Sequence, residues 1–327
     1  MEPTRPIKPN IKYDMPLMSD PLEIYFAALS FVFGTMIGSF LNVVIHRVPN
    51  EESIVYPGSH CPNCSKTIKF YDNIPVIAWL FLGGKCRFCR QPISFRYPSV
   101  EFLTGIVFLF VWWHDGLSVM LPLDMLFAST LIALIFIDAD AMILPNVITY
   151  PGIAIAFLAR ITVPLFFSNN YNALIQQNEI VYFDDLKNYP LNALYYQTQN
   201  VQFWQFWEWQ QWNTSLLGAF LGAMAGGGSL WLVGWIWKQL RGIDAMGFGD
   251  VKMMFMVGAY MGWRLTILTI FLGALTGALA GIFLVLKQKQ ENFQAKIPFG
   301  IFLGIGSLIS LFAGERIINW YISNFVP

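Results

Sequence analysis

A chain of 327 residues that is 56% hydrophobic and only 12% charged is built for a bilayer, since soluble domains carry about 25% charged side chains. Its 20 basic and 20 acidic residues cancel, which excludes the basic footprint of a nucleic-acid-binding protein. Three histidines are too few and too scattered to build a metal site alone, and all four cysteines lie between Cys61 and Cys89.

In chain order, residues 1–21 are polar and proline-rich and read as an irregular N-terminal arm. The apolar run 22–45 is long enough to span a bilayer, which takes about 20 residues. It is too long for the core of a signal peptide and no small-residue cleavage pattern follows, so it reads as a retained span. Its end, Gly38-Ser39-Phe40-Leu41-Asn42-Val43-Val44-Ile45-His46-Arg47-Val48-Pro49, holds polar groups inside the span. These predict tight packing on a neighbouring helix.

Residues 46–98 are hydrophilic and carry Cys61-Pro62-Asn63-Cys64 and, after 21 intervening residues, Cys86-Arg87-Phe88-Cys89. This is zinc-ribbon spacing: each Cys-x-x-Cys turn offers two thiolates to one tetrahedral ion. Two disulfides are the competing reading. They are disfavoured because a bond within Cys-x-x-Cys closes a strained, reducible loop, and because this basic loop points to the reducing cytosol.

Further apolar runs follow at 100–113, 117–137, 147–167, 214–237, 253–263, 265–286 and 299–322. The expected fold is therefore an all-α polytopic membrane protein of about eight transmembrane helices, with a small cytosolic zinc-ribbon-like domain between the first and second. The domains expected are the arm 1–21, the helix 22–45, the ribbon 46–98 and a membrane domain 99–327 with a periplasmic insertion at 168–213. The sixth run is short, in the range where a re-entrant segment is as acceptable as a crossing. Glycines at four-residue spacing, Gly34/Gly38, Gly218/Gly222/Gly226, Gly273/Gly277/Gly281 and Gly300/Gly304, read as helix-packing surfaces.

Placing the cysteine loop inside gives 13 Lys and Arg in the inner loops against 6 in the outer segments, the asymmetry expected of cytosolic loops. Both termini then lie outside. The insertion at 168–213 ends in alternating aromatic and amide residues, Phe203 to Trp212, a composition suited to the headgroup layer.

Two acids stand at the borders of apolar runs. Ile137-Asp138-Ala139-Asp140 closes one run, and Met246-Gly247-Phe248-Gly249-Asp250-Val251-Lys252 opens another. An Asp in a first helical turn is favoured by free N–H groups and the helix dipole, so either acid could serve only as a cap. Both, however, fall on the cytosolic side whether or not the short run crosses. Two carboxyl groups held together cannot both ionise cheaply, so one keeps a proton while the other stays anionic. Such a pair can activate water and protonate a leaving group. Asp138 and Asp250 are the candidate dyad. Gly247 and Gly249 allow close backbone approach, Asp140 points elsewhere on a helix as a supporting or capping residue, and Lys252 is a further supporting candidate.

The order Gly-Ser-Phe-Leu-Asn-Val-Val-x-His-Arg-x-Pro, two Cys-x-x-Cys turns, Arg96-Tyr97-Pro98 with Glu101, Asp138-Ala139-Asp140 before Leu144-Pro145-Asn146, Gly247-x-Gly249-Asp250-x-Lys252 and Ile297-Pro298-Phe299-Gly300 resembles the bacterial type IV prepilin peptidases. The resemblance implies an inner-membrane enzyme with two activities. An aspartic endopeptidase removes the leader of prepilins or pseudopilins after a glycine, and an S-adenosylmethionine-dependent activity methylates the new N-terminus. It implies Asp138 and Asp250 as catalytic residues, Cys61, Cys64, Cys86 and Cys89 as zinc ligands, and Gly84 as a residue tied to methyl transfer. Ile301, where the family often has proline, and the long insertion depart from its pattern. Partners implied are the pilin substrates and membrane lipid, with no nucleic acid.

The residues alone do not reveal a methyltransferase: Gly226-Gly227-Gly228 lies in an apolar span where helix packing explains it. A peptidase without methylation, a transporter using Asp138 and Asp250 as ion carriers, and a zinc-ribbon anchor for a cytosolic partner are the rival readings.

Overall fold

The computed structural model describes residues 21–166, 211–243, 246–287 and 298–325. The N-terminal arm, nearly all of the insertion at 168–213 with its aromatic run, and the loop around Lys289 and Lys296 lie outside the described residues. The described residues are helical, apart from the cysteine loop and short turns.

Helix α1, Pro21–Arg47, opens on a proline, whose missing N–H is no loss in a first turn, and closes on His46 and Arg47, which suit the negative end of the helix dipole. The cysteine loop follows, with one short helix, α2, Ile77–Phe81. Helix α3, Arg96–Asp115, returns along α1. The expected tight packing is present. A Cβ on Gly38 would lie 2.6 Å from the Glu101 Cα, and Asn42 Nδ2 donates to the Tyr97 carbonyl at 3.0 Å.

Helix α4, Met120–Ala141, and α5, Asn146–Phe166, come next. Helices α6, Gln211–Ala223, and α7, Ser229–Arg241, are joined through a π turn at Met224–Gly228. There the backbone of Gly226 meets the Met254 carbonyl and that of Gly227 meets the Phe255 ring, approaches that a Cβ would block. Helix α8, Phe248–Met261, is followed through Gly262 by α9, Trp263–Lys287, and then by α10, Phe299–Phe325.

Each of the eight expected runs corresponds to helix among the described residues, with 117–119 and Gly262 outside the helices. Among the described residues, six helical stretches are long and apolar enough to cross a membrane: Pro21–Asn50, Met120–Ala141, Asn146–Phe166, Ser215–Arg241, Trp263–Phe283 and Phe299–Phe325. Helix α3 is not among them, because Arg96, Glu101, His114 and Asp115 interrupt its apolar surface. Helix α8 is not among them because it has 14 residues.

Two apolar clusters share α4. One joins α1, α3 and α4 through Leu41, Val100, Phe108, Val111, Ile132 and Ile137. The other gathers Phe127, Leu131, Leu134, Met253, Met254, Met256 and Leu303 around α8. Phe255 apart, every residue from 253 to 261 is buried, so α8 is walled by protein on all sides. That enclosure is what lets so short a helix lie among long ones with its 253–261 stretch covered by protein.

Candidate active site

Asp138 lies in the last turn of α4, and the chain leaves that helix through Met142 in a left-handed conformation, its N–H returning to the Asp138 carbonyl at 3.0 Å. Asp250 lies in the first turn of α8. Gly249 lets that turn press on the loop after α4: an added Cβ would sit 2.9 Å from the Leu144 Cβ. The side chains of Asp138 and Asp250 are both buried. Gly247 leaves open space beside Asp250, whose Oδ2, 3.9 Å away, is the nearest atom a Cβ there would meet.

The two carboxylates converge on the start of α10. A Cβ built on Gly300 would lie 2.7 Å from Asp138 Oδ2 and 3.1 Å from Asp250 Oδ1. The Ile301 N–H donates to Asp138 Oδ2 at 3.1 Å. Three helix ends therefore meet: the C-terminus of α4 and the N-termini of α8 and α10. The two N-termini add partial positive charge near the carboxylates, and a backbone N–H holds one oxygen of Asp138 in place. What this arrangement can do is hold one proton between two acids beside a water.

Asp140 turns away from this site, as its place on the helix predicts. It pairs with Arg96 at 2.5 Å, on the exposed side of α4, and the Arg96 guanidinium also reaches the Phe136 carbonyl. This contact ties the end of the cysteine loop to the helix that carries Asp138. Lys252 bonds Asn146 Oδ1, at the start of α5, and lies over the Tyr150 and Phe248 rings. It therefore bridges the two loops flanking the carboxylates. Gly300 and the N–H of Ile301 belong to the site, yet neither offers a side chain whose chemistry a sequence would advertise; only the motif Ile297-Pro298-Phe299-Gly300 marks the place.

The cysteine loop forms two matching turns. Around Cys61, Ser65 N–H bonds the Cys61 carbonyl at 2.8 Å and Cys61 N–H the Lys66 carbonyl at 3.0 Å. Around Cys86, Arg90 N–H bonds the Cys86 carbonyl at 3.0 Å and Cys86 N–H the Gln91 carbonyl at 2.8 Å. The isolated bridges His60–Thr67 and Lys85–Pro92 complete the pair. All four cysteines are free, their sulfurs lie within 4.8 Å of one another, and Cys61 and Cys89 face each other at 3.8 Å. The N–H groups of Cys89 and Phe88 push the Cys86 thiol down to about 6, while, against the Gln91 N–H, burial and the neighbouring sulfurs push Cys89 up to about 11. The donor set fits a tetrahedral zinc with no open position.

Gly84, just before Cys86, has φ +67° and meets the Trp79 ring, which would be 2.8 Å from a Cβ. Glycine is required there by backbone and packing alone. Arg87 pairs with both oxygens of Asp72, at 2.5 and 2.7 Å, and holds that carboxyl below its ordinary value. Glu101 of α3 accepts the Val76 N–H at 2.7 Å, anchoring the loop to the helices.

Two family models match the chain: the bacterial peptidase A24 N-terminal domain over residues 32–115, and the type IV leader peptidase family over residues 200–282. The first contains the four cysteines and the second contains Asp250. The chain is 33% identical to the prepilin leader peptidase/N-methyltransferase of Aeromonas hydrophila, over 93% of this chain and 96% of the relative. It is 31% identical to the protein of that name from Pseudomonas aeruginosa, over 94% and 96%. It is 30% identical to that from Legionella pneumophila, over 89% and 92%. No solved structure matches. The chain belongs to the type IV leader peptidase family.

Proposed function

We propose that this chain, as a member of that family, removes the leader peptide of prepilins or pseudopilins with the Asp138–Asp250 pair and methylates the N-terminus so exposed. The observation that carries the peptidase reading is the convergence of both carboxylates on Gly300. The anionic carboxylate takes a proton from water as the oxygen attacks the scissile carbonyl. The protonated one then delivers its proton to the leaving nitrogen, so that water is divided between the two products and the dyad ends with one proton, as it began. The Ile301 N–H keeps Asp138 aimed, and the open side of Gly247 admits the extended substrate chain to Asp250. Burial strengthens each of these interactions.

The membrane arrangement proposed is a multi-pass protein of the inner membrane with about eight transmembrane helices, the short α8 either crossing or re-entrant, both termini periplasmic and the dyad at the cytosolic border. A substrate whose apolar helix lies in the bilayer and whose basic leader stays in the cytosol presents its cleavage point at that border. The ribbon at 46–98 is proposed to hold one zinc through Cys61, Cys64, Cys86 and Cys89. The ion supplies folding energy to the loop and no chemistry at the dyad. The methyl donor implied by the relatives' name is S-adenosylmethionine, and Gly84 is the residue proposed for that half-reaction.

The test is reconstitution of the full chain in liposomes with a prepilin. Cleavage is read by gel shift, and methylation by mass spectrometry of the new N-terminus. Wild-type protein that neither cleaves nor methylates would reject the reading; cleavage without a mass gain of one methyl group would reduce it to a peptidase.

A further inference from the structure

At the end of α4 opposite Asp138, three side chains gather that the peptidase reading does not use: His114 and Asp115 at the close of α3, and Asp124 in the second turn of α4. Their donor atoms all lie within 4.8 Å of one another. His114 Nδ1 stands 2.7 Å from Asp115 Oδ1, and the imidazole edge packs on the Phe312 ring, which fixes its orientation. Asp124 is 1% exposed. Its Oδ1 accepts the Tyr260 hydroxyl, whereas Oδ2, like Oδ2 of Asp115, is buried without a donor among the described residues. The Asp115 side chain is 3% exposed and that of His114 30%.

Two buried carboxylates facing each other with unmatched oxygens need either a shared proton or a bound cation between them, and the imidazole of His114 at the same point supplies a third ligand that a shared proton does not require. We propose that His114, Asp115 and Asp124 bind a divalent first-row metal ion, of the zinc or manganese type, at the membrane face opposite the dyad. One imidazole and two carboxylates suit such an ion, and a metal–ligand distance of ~2.1 Å is reached from this spread by small side-chain rotations. Tyr260 holds Asp124 from behind, as an outer partner holds a metal-binding carboxylate. The exposed His114 edge provides the way in. Asp124 and Asp138 are 14 residues apart on α4, which is ~21 Å at 1.5 Å per residue, so this site is separate from the dyad. It pins α3, α4 and α8 together at one end.

Cobalt distinguishes this site from the cysteines, because thiolate ligands give a near-ultraviolet charge-transfer band and imidazole–carboxylate ligands do not. Full-length protein in detergent, stripped with a chelator and titrated with Co2+, is expected to bind two ions per chain, one with that band and one without. Asp115→Asn and Asp124→Asn should each lose the second ion and keep the band. Cys61→Ser should do the reverse. The thermal midpoint of the stripped variants checks that they are folded. If Asp124→Asn does not fold, His114→Ala, altered at a partly exposed ring, should weaken the second ion at least tenfold while leaving the band intact. A single ion per wild-type chain would mean that the two carboxylates share a proton instead, and would overturn the proposal. So would a second ion retained in both carboxylate variants, a second ion unweakened in His114→Ala, or one lost in the Asp138→Asn/Asp250→Asn double variant.

Discussion

The Tyr260 hydroxyl of α8 donates to Asp124 of α4, at the far end of the two helices whose other ends carry Asp250 and Asp138. Helices α4 and α8 thus run antiparallel and are tied at both ends, with Tyr260 stacked on Phe127 at 4.2 Å between them. Removing one partner of a buried hydrogen bond leaves the other unsatisfied, at about 1–3 kcal/mol. Tyr260→Phe should therefore lower the stability of the folded protein by about that amount, measured by thermal unfolding in detergent. Leader cleavage should persist, since the dyad is formed by other contacts.

Asp138→Asn and Asp250→Asn should each reduce cleavage by about a thousandfold or more, because neither amide can share the proton that the division of labour needs. Membrane insertion should be unchanged. Asp140→Asn breaks only an exposed pair with Arg96, an interaction of about 0–1 kcal/mol, and should cleave within severalfold of wild type. Initial rates on a purified prepilin check all three; a near-normal rate in either dyad variant rejects the assignment.

Gly300→Ala places a methyl group 2.7 Å from Asp138 Oδ2 and 3.1 Å from Asp250 Oδ1. The carboxylates must separate to admit it, and misplacement of reacting groups by about 1 Å is worth ~100-fold in rate. The expected loss is of that order, with normal expression. Gly58→Ala is the control, since a Cβ at Gly58 meets nothing within 4 Å.

Zinc should be present in the cysteine loop at about one ion per chain, as a four-ligand site requires. It should be lost in Cys61→Ser and kept in Asp138→Asn. Because Gly84 lies beside Cys86 and packs on Trp79, disturbing the loop should impair methylation at least as much as cleavage. Metal analysis by ligand variant, with mass spectrometry of the processed N-terminus, measures both.

Asp138 and Asp250 were legible in the sequence because an acid at the border of an apolar run is conspicuous. The cysteines were legible from their spacing. Gly300 was not legible as part of the site, since its contribution is the absence of a side chain and the N–H that follows it. Asp124 carried a readable signal, an acid within the run 117–137, but its partners come from the ends of α3 and α8 and meet only in the fold. The pairing of Arg96 with Asp140 was hidden for the same reason. Of the eight apolar runs, α3 and α8 differ from the rest in ways the pattern already contained: charges in one, 14 residues in the other.

Helix α8 is walled by other helices, and at 14 residues it measures ~21 Å, against about 30 Å for a hydrocarbon core. Thinning or thickening the lipid strains only helices that touch it, through tilt and mismatch. The acyl chains act on the outer shell, and the spacing between Tyr260 and Asp250 is insulated from them. A change in acyl-chain length is therefore expected to act first on the long outer helices and to reach α8 only through them.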